Sequence, residues 1–406
     1  MVSAKENLSV CRMKKKYSVT FVLRDPPVHY PAGAFSIIFQ LAHGLNESGI
    51  RTANIFIRDD FRYVPNSEEI KPNEKYRILG KVFKLLFGGK RIKIFYRLRL
   101  YKLFGVDYDF SVFDNVDCYY YNSIEDVKIE TDLIIATTWW LGYSVNEFVK
   151  DHKSKPLLFV PHTEDDPIIS GVNSIRAESI SYLFNFKKIV INRKAYERFK
   201  DENPLFFHVG IDTNFFKVTK DLDKRGNVVL IPLRKQKSKG AKYAIESARK
   251  LLIDDQHTGT RIIMFGNYEI NEIPADIRNK IEYHYRPSNR QLLELYNKSR
   301  IFVLPSIVEG MSLPPLEAMA CGCAVVVTDN GGISEYIVDG FNGLICPIED
   351  AECLSNKVLY LLSNKRKCEE MIRNGLETAK QFSYEHMNKE FTDLIKTYLE
   401  HKGESN

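Results

Sequence analysis

Two glutamates near residue 310 could accept hydrogen bonds from vicinal hydroxyl groups, those of a sugar at one carboxylate and of a ribose at the other, although their spacing alone does not establish this. Glu309 lies just before a predicted helix and Glu317 about one turn inside it, so both carboxylates can face one cleft. Pro314 or Pro315 suits the first turn of that helix, where a missing N–H costs nothing. The residues just ahead of the helix are Gly310, Met311, Ser312 and Leu313. Their backbone N–H groups would be unpaired donors at a helix start, which is a site for phosphate or sugar oxygens.

A basic loop leads into a second predicted helix, residues 241–252. Four cations fall within six residues of this loop, namely Arg234, Lys235, Lys237 and Lys239. Cations at a helix N-terminus oppose the macrodipole unless an anion shares the site, and a diphosphate would supply that anion. A solvated basic loop is the alternative, and this segment taken alone favours it.

Four further candidates lie in the first half of the chain. Gly33 opens a predicted helix, where a glycine lets a ligand approach the backbone, although a plain turn explains it equally well. His162 follows a predicted strand and could donate to a sugar hydroxyl or phosphate, but a lone histidine is more often structural. Trp139 and Trp140 follow another strand and predict either an acceptor cleft or core packing.

These candidates need a scaffold, and the alternation of strand-like and helix-like segments predicts an α/β architecture with parallel sheets. Several strand candidates are near-continuous apolar runs, as expected for strands that are buried on both faces. The predicted strands cover residues 17–23, 52–57, 132–137, 157–161, 188–191, 227–232, 261–266, 280–283, 301–305 and 324–328; the other predicted helices lie around residue 35 and over 291–298 and 386–399. Ligands of such sheets bind beyond the carboxyl ends of the strands, which is where the candidate residues lie.

The composition is that of a globular protein, and the length predicts two domains, with three as the alternative. The chain has 406 residues, of which 44% are hydrophobic and 27% charged, and residues 217–226 are the best candidate for the joint. No stretch is apolar enough to predict a membrane span or a secretory signal, so we expect a cytoplasmic protein. The seven cysteines lack the spacing of zinc or redox sites, which predicts reduced, structural thiols and no metal.

The net charge of +6 is unevenly placed, because residues 75–106 hold ten Lys and Arg and no acid. Within them, residues 81–105 interleave cations with aromatic and aliphatic side chains. Such a segment can lie in a membrane interface and attract anionic lipid headgroups. A helical insertion whose apolar face packs on the first domain is the equal alternative. Nucleic acid is not predicted as a partner, because no segment resembles a base-reading module.

Residues 300–343 carry a long, specific motif. They follow the pattern P-S-x-x-E-G-[FM]-x-L-P-x-L-E-A-M-A-x-G, with V-V and G-G-x-x-E after it. The matching residues are Pro305, Ser306, Glu309, Gly310, Met311, Leu313, Pro314, Leu316, Glu317, Ala318, Met319, Ala320, Gly322, Val325, Val326, Gly331, Gly332 and Glu335. The chain therefore resembles the retaining, metal-independent glycosyltransferases of family 4. Weaker likenesses follow in the same order as in that family: Arg234 with Lys239 resembles its R-x-x-x-x-K-G pair, and residues 208–212 resemble its hinge motif.

The resemblance implies a GT-B fold, in which two Rossmann-like domains face a deep cleft. Residues 1–216 would form the N-terminal, acceptor-binding domain, joined by the C-terminal helix at about 386–406. Residues 217–385 would form the domain that binds the nucleotide-sugar donor.

The resemblance also implies roles for single residues. Glu309 would hold donor-sugar hydroxyls and support the transition state, and Glu317 would bind the ribose. Arg234 and Lys239 would neutralise the diphosphate leaving group, which is electrostatic catalysis without a metal. His162 stands where the family often has a histidine near the donor sugar.

Backbone contacts to the donor are implied in three places. The segment 310–313 would touch sugar and phosphate, and Gly33 resembles the glycine-rich loop of the N-terminal domain. The base pocket would be lined largely by backbone near Tyr285 and Arg286.

The predicted activity is transfer of a hexosyl or deoxyhexosyl group from a nucleotide-diphosphate sugar to a saccharide or lipid-linked acceptor, with retention and without a cofactor. Paired carboxylates also suit a glycoside hydrolase, but a hydrolase needs no diphosphate cradle. A nucleotide-sugar epimerase and a catalytically silent sugar-nucleotide-binding partner are the alternatives. The protein would be cytoplasmic, with peripheral contact at the inner face of the membrane if residues 81–105 bind lipid.

Overall fold

The computed structural model describes residues 17–24, 33–57, 92–93, 117–121, 123–161, 172–253 and 259–400. His162 and all but two residues of the basic segment 81–105 lie outside these ranges, so the predictions made for them stay predictions. No helix among the described residues is long and apolar enough to cross a membrane.

The first half of the described chain forms an eight-stranded sheet in the order β3-β4-β2-β1-β5-β6-β7-β8. The strands are β1 Ser18–Arg24, β2 Arg51–Ile57, β3 Ile92–Lys93, β4 Asp117–Tyr121, β5 Leu133–Ala136, β6 Lys155–Val160, β7 Lys187–Val190 and β8 Leu205–Phe206. Neighbouring strands are parallel except for the antiparallel pair β3 and β4. The helices are α1 Gly33–Glu47, α2 Trp139–Phe148, α3 Val172–Tyr182 and α4 Arg193–Phe199.

The second half forms a parallel six-stranded sheet in the order β11-β10-β9-β12-β13-β14. The strands are β9 Val228–Leu233, β10 Arg261–Gly266, β11 Glu282–Tyr285, β12 Ile301–Leu304, β13 Ala324–Thr328 and β14 Leu344–Cys346. The helices are α5 Ala241–Ile253, α6 Ala275–Arg278, α7 Asn289–Lys298, α8 Leu313–Ala320, α9 Ala351–Ser363, α10 Lys365–Gln381 and α11 Tyr384–Glu400. Apart from the antiparallel pair β3 and β4, both halves are therefore parallel sheets that alternate with helices, as the sequence predicts.

The central strands form where apolar residues run without interruption. All six residues of β9, Val228–Leu233, are buried, and so are all four of β12, Ile301–Leu304. Burial on both faces selects such runs, because helices cover each side of a parallel sheet. The ten predicted strands are confirmed, with ends that move by two residues or fewer. The strands β3, β4, β8 and β14 were not predicted.

The last helix, α11, returns to the first sheet. A Cβ on Gly44 in α1 would lie 2.7 Å from the Asn388 Cγ atom in α11, so the two helices touch closely. Phe391 packs against Phe207 with ring centroids 4.9 Å apart and against Phe21 at 6.4 Å. The α11 helix thus packs on α1 and on the first sheet, while the predicted domain limits 1–216 and 217–385, with the C-terminal helix assigned to the first domain, remain predictions.

The prediction that the cysteines are reduced thiols is wrong for one pair. Cys346 at the end of β14 and Cys353 in the first turn of α9 form a disulfide, with Cα atoms 5.8 Å apart. The six residues between them make a turn that the spacing rules for zinc and redox motifs do not describe. Cys118, Cys321, Cys323 and Cys368 are free and buried.

Candidate active site

Lys239 and Glu309 form an ion pair at the carboxyl edge of the second sheet. The Lys239 Nζ atom lies 2.7 Å from Glu309 Oε2, and the two side chains are 25% and 14% exposed. Ser306 Oγ donates to the other carboxylate oxygen at 2.8 Å. The backbone N–H of Glu309 donates to the Asn330 carbonyl at 3.0 Å. Glu309 is thus held at its backbone and at both side-chain oxygens.

A glycine brings the basic loop close to the loop after β12. Gly240 has a φ of 65°, and a Cβ there would lie 1.9 Å from the Pro305 carbonyl oxygen. Ile307 N–H donates to the Ser238 carbonyl at 2.7 Å, which joins the two loops. Only glycine allows both this left-handed backbone and this approach, so Gly240 is what lets Lys239 reach Glu309.

Glu317 lies in α8 and is half-buried. The helix begins at Leu313 with Pro314 in its first turn, which confirms the prediction made from the prolines. Tyr296 OH donates to Glu317 Oε2 at 2.9 Å. Burial raises the pKa of Glu317, while the Tyr296 hydrogen bond and the positive charge of Arg234 act in the opposite direction. The structure thus places Arg234 within electrostatic range of Glu317.

The segment between the two glutamates packs tightly. A Cβ on Gly332 would lie 3.0 Å from both the Glu309 Cβ and the Gly310 carbonyl oxygen. Met311 and Ser312 are buried, and Tyr336 OH donates to the Ser312 carbonyl. The Ser312 Oγ atom is also buried and has no hydrogen-bond partner in the structure. This hydroxyl stands at the N-cap of α8 without capping it, so its hydrogen-bonding capacity is unused.

Arg286 and Gly33 occupy other places. Arg286 follows β11 with a φ of 45°, and its guanidinium lies 5.0 Å from the centroid of the Tyr285 ring. Gly33 is the first residue of α1, after β1. No contact among the described residues joins either of them to Glu309.

The two tryptophans pack in the core of the first half. Trp139 is buried in a core cluster and Trp140 packs against it, so of the two alternatives, an acceptor cleft and core packing, the structure favours core packing.

Three residues that were not predicted as site residues connect the two halves beside Glu309. The Asn192 Nδ2 atom, just before α4, donates to the Gly310 carbonyl at 3.0 Å. The Arg193 N–H donates to Glu335 Oε1 at 2.8 Å, and His208 Nε2 lies 3.3 Å from Glu335 Oε2. The Glu335 side chain is 1% exposed. Its burial pushes the pKa upward, but the contacts with His208 and Arg193 outweigh burial, and the pKa is lowered.

The comparison with protein families decides the nature of the second half. The model of the family "Glycosyl transferases group 1" matches residues 212–378. These residues are a group 1 glycosyltransferase domain. It contains Arg234, Lys239, Glu309 and Glu317, which are therefore residues of the glycosyltransferase domain, although their individual roles stay predictions.

Curated relatives of this glycosyltransferase domain include two bacterial enzymes. One is the N,N'-diacetylbacillosaminyl-diphospho-undecaprenol alpha-1,3-N-acetylgalactosaminyltransferase of Campylobacter jejuni, 29% identical over 52% of this chain and 55% of the relative. The other is the O-antigen chain mannosyltransferase B of Escherichia coli, 38% identical over 26% of each chain. The chain thus spans about half or less of the length of these relatives.

Solved structures resemble the chain in fold across both sheets. Sucrose-phosphate synthase from Thermosynechococcus elongatus superimposes with a TM-score of 0.66, covering 94% of this chain and 99% of its own at 14% identity. HepE from Anabaena, solved in complex with UDP-glucose, gives a TM-score of 0.66 over 94% and 100% at 13% identity. The predicted GT-B fold, with two Rossmann-like sheets, is confirmed.

Proposed function

We propose that the chain is a glycosyltransferase that moves a sugar from a nucleotide-diphosphate sugar to a saccharide or lipid-linked acceptor, with retention of anomeric configuration. The observation that carries the proposal is the ion pair between Lys239 and Glu309, at the carboxyl edge of the sheet in the glycosyltransferase domain. It puts a cation for a leaving diphosphate 2.7 Å from a carboxylate that can hold sugar hydroxyls.

The charges at the site suit a diphosphate leaving group. Lys239 and Arg234 supply two positive charges near the start of α8, where the buried Ser312 hydroxyl is unpaired. Negative charge grows on the diphosphate as the glycosidic bond breaks, and fixed cations stabilise it in that state. This arrangement would need no metal ion, since the two cations would stabilise the negative charge on the leaving diphosphate.

Glu309 changes partners when the donor binds. Without a donor, Lys239 neutralises the carboxylate of Glu309. Diphosphate oxygens compete for the Lys239 ammonium, which frees a Glu309 oxygen to accept from the hydroxyls of the donor sugar. Ser306 still holds the other oxygen, so the carboxylate keeps its orientation.

Glu317 would bind the ribose. A pair of ribose hydroxyls can donate to a carboxylate, and the Tyr296 hydrogen bond opposes the rise in the Glu317 pKa that burial causes. Arg286, in the loop after β11, would lie near the base, and Gly33 would approach the donor from the other domain.

The named relatives support the substrate classes. HepE was solved with UDP-glucose, which supports a nucleotide-sugar donor. The Campylobacter jejuni relative is named for an undecaprenol-linked acceptor, which supports a lipid-linked acceptor here. The family 4 motif supports retention and a hexosyl or deoxyhexosyl group. Peripheral membrane contact through residues 81–105 is part of the proposal, and failure to bind anionic vesicles at low salt in a flotation assay would remove that part.

The experiment is release of nucleotide diphosphate from a panel of UDP-, GDP- and dTDP-sugars, with a chelator present and without acceptor. We expect slow release from one donor, unaffected by the chelator. Conversion of the donor to another sugar without release would show the epimerase instead. Binding without turnover, even when saccharide and lipid-linked acceptors are added, would show the silent partner.

A further inference from the structure

The side chain of Asn192 makes three hydrogen bonds, each to a different element. Its Nδ2 atom donates to the Gly310 carbonyl at 3.0 Å and to the Pro161 carbonyl at 3.2 Å. Its Oδ1 atom accepts from Ala195 N–H at 2.8 Å, which caps α4. Asn192 is 4% exposed, so water does not replace these partners.

Two of these bonds join the two halves of the chain. Pro161 follows β6 of the first sheet, whereas Gly310 directly follows Glu309 in the second half. The next residue adds a second connection, because Arg193 N–H donates to the buried carboxylate of Glu335. The start of α4 is therefore hydrogen-bonded to the glycosyltransferase domain through two adjacent residues, Asn192 and Arg193.

The bond to Gly310 sets the direction of a whole peptide group. In a planar trans peptide, the Gly310 carbonyl and the Met311 N–H are fixed to one another and point in opposite directions. A donor that holds the carbonyl therefore also orients this N–H, one of those expected to contact the nucleotide sugar. It limits the movement of Glu309 as well, since the two residues are joined.

We propose that Asn192 is a positioning residue for sugar transfer: it holds the Gly310 peptide, and with it Glu309, in register with the Pro161 end of β6. This proposal rests on the proposed function. An asparagine is required because the site needs two N–H donors and one acceptor within a single short side chain. Aspartate keeps the acceptor that caps α4 but offers no N–H to either carbonyl.

The test uses Asn192→Asp and Asn192→Ser, since aspartate and serine cap helices about as well as asparagine. Asn364→Asp and Asn364→Ser are the matched controls: Asn364 caps α10 by accepting from Lys367 N–H at 3.1 Å. We expect both Asn192 variants to lower kcat/KM for nucleotide diphosphate release by about tenfold or more, because two partly buried carbonyls lose the N–H donors of the amide. The controls should keep wild-type kcat/KM.

Hydrogen exchange provides a second measurement that does not depend on activity. We expect the amides of residues 306–313 to exchange faster in Asn192→Ser than in the wild type, and to be unchanged in Asn364→Ser. Unchanged kcat/KM, or unchanged exchange at residues 306–313, in a folded Asn192 variant would overturn the proposal. A wild-type chain that binds none of the donors contradicts the proposed function instead, and the exchange result still decides whether Asn192 holds this loop.

Discussion

Glu335 in the glycosyltransferase domain contacts His208 from the first half of the chain, with His208 Nε2 and Glu335 Oε2 3.3 Å apart. The other oxygen of this carboxylate accepts from the backbone of Arg193 at 2.8 Å. The buried Glu335 carboxylate therefore contacts two segments of the first half, the start of α4 and the residues after β8. Because the domains of a GT-B fold face each other across the cleft, this contact helps to set how closely they approach.

The lowered pKa of Glu335 makes a prediction about acid stability. A carboxyl group whose pKa is lower in the folded than in the unfolded state stabilises the fold above the unfolded pKa, and this stabilisation is lost as the pH falls through the folded value. We expect Glu335→Gln to reduce the free energy of unfolding by about 1.5–3 kcal/mol at pH 7, as charged hydrogen bonds contribute. The difference from the wild type should shrink as the pH falls below about 4.5.

Denaturant unfolding between pH 3 and pH 7 measures this difference. Glu377→Gln is the control, because Glu377 is 69% exposed and, among the described residues, its ion pair is with Lys380 at the surface. A difference between Glu335→Gln and the wild type that stays constant over this pH range would contradict the prediction.

The Lys239–Glu309 pair predicts a loss of turnover that far exceeds the loss of stability. We expect Lys239→Ala and Glu309→Ala each to lower nucleotide diphosphate release by about 100-fold or more, because each removes charge that the transition state needs. Breaking the pair should cost only about 1–3 kcal/mol of unfolding free energy.

The controls for this pair are Lys250→Ala and Glu352→Ala, which break an ion pair of 3.4 Å on the surface. Both should keep wild-type turnover. Steady-state release and thermal unfolding are measured on all four variants. Near-wild-type turnover in Lys239→Ala or Glu309→Ala would remove that residue from the mechanism.

Gly240 predicts a substitution that acts through the backbone. In Gly240→Ala, the new Cβ would overlap the Pro305 carbonyl oxygen and the residue would keep a positive φ, so we expect a loss of at least about 1–3 kcal/mol of stability. Turnover of the folded fraction should fall as well, because Lys239 is displaced from Glu309. Gly226→Ala is the control, since a Cβ at that position meets nothing within 4 Å. Equal unfolding midpoints for the two variants would show that the loop adapts.

Tyr296 predicts a shift in a pH profile. Its hydroxyl lowers the pKa of Glu317 against the effect of burial, so Tyr296→Phe should raise that pKa further. If ionised Glu317 binds the ribose, the acid limb of kcat/KM for the donor should move to higher pH. Tyr143→Phe, which removes a hydroxyl bonded to the Ala177 carbonyl at 2.7 Å, should leave the profile in place. An acid limb that does not move in Tyr296→Phe would exclude Glu317 as the titrating group.

Local signals predict much of the fold and mark the site residues. The apolar runs of β9 and β12 predict buried parallel strands, and Pro314 predicts the start of α8. The strands β8 and β14 could not be predicted in this way, because two or three residues are too few to show a hydrophobic period. Asn192 stands between a strand and a helix, and an asparagine at such a position predicts a helix N-cap. It does not predict the contact with Gly310.

By itself, the sequence determined ten of the strands and their alternation with helices, the family 4 motif and the residue types that lie near the carboxyl edges of the strands. These depend on neighbours a few residues apart. Only the tertiary structure decided that Lys239 meets Glu309, that Asn192 meets Gly310 and that His208 meets Glu335. These partners are 70, 118 and 127 residues apart along the chain. Their contact depends on the strand order within each sheet and on how the two halves lie against each other, and no local pattern carries that information.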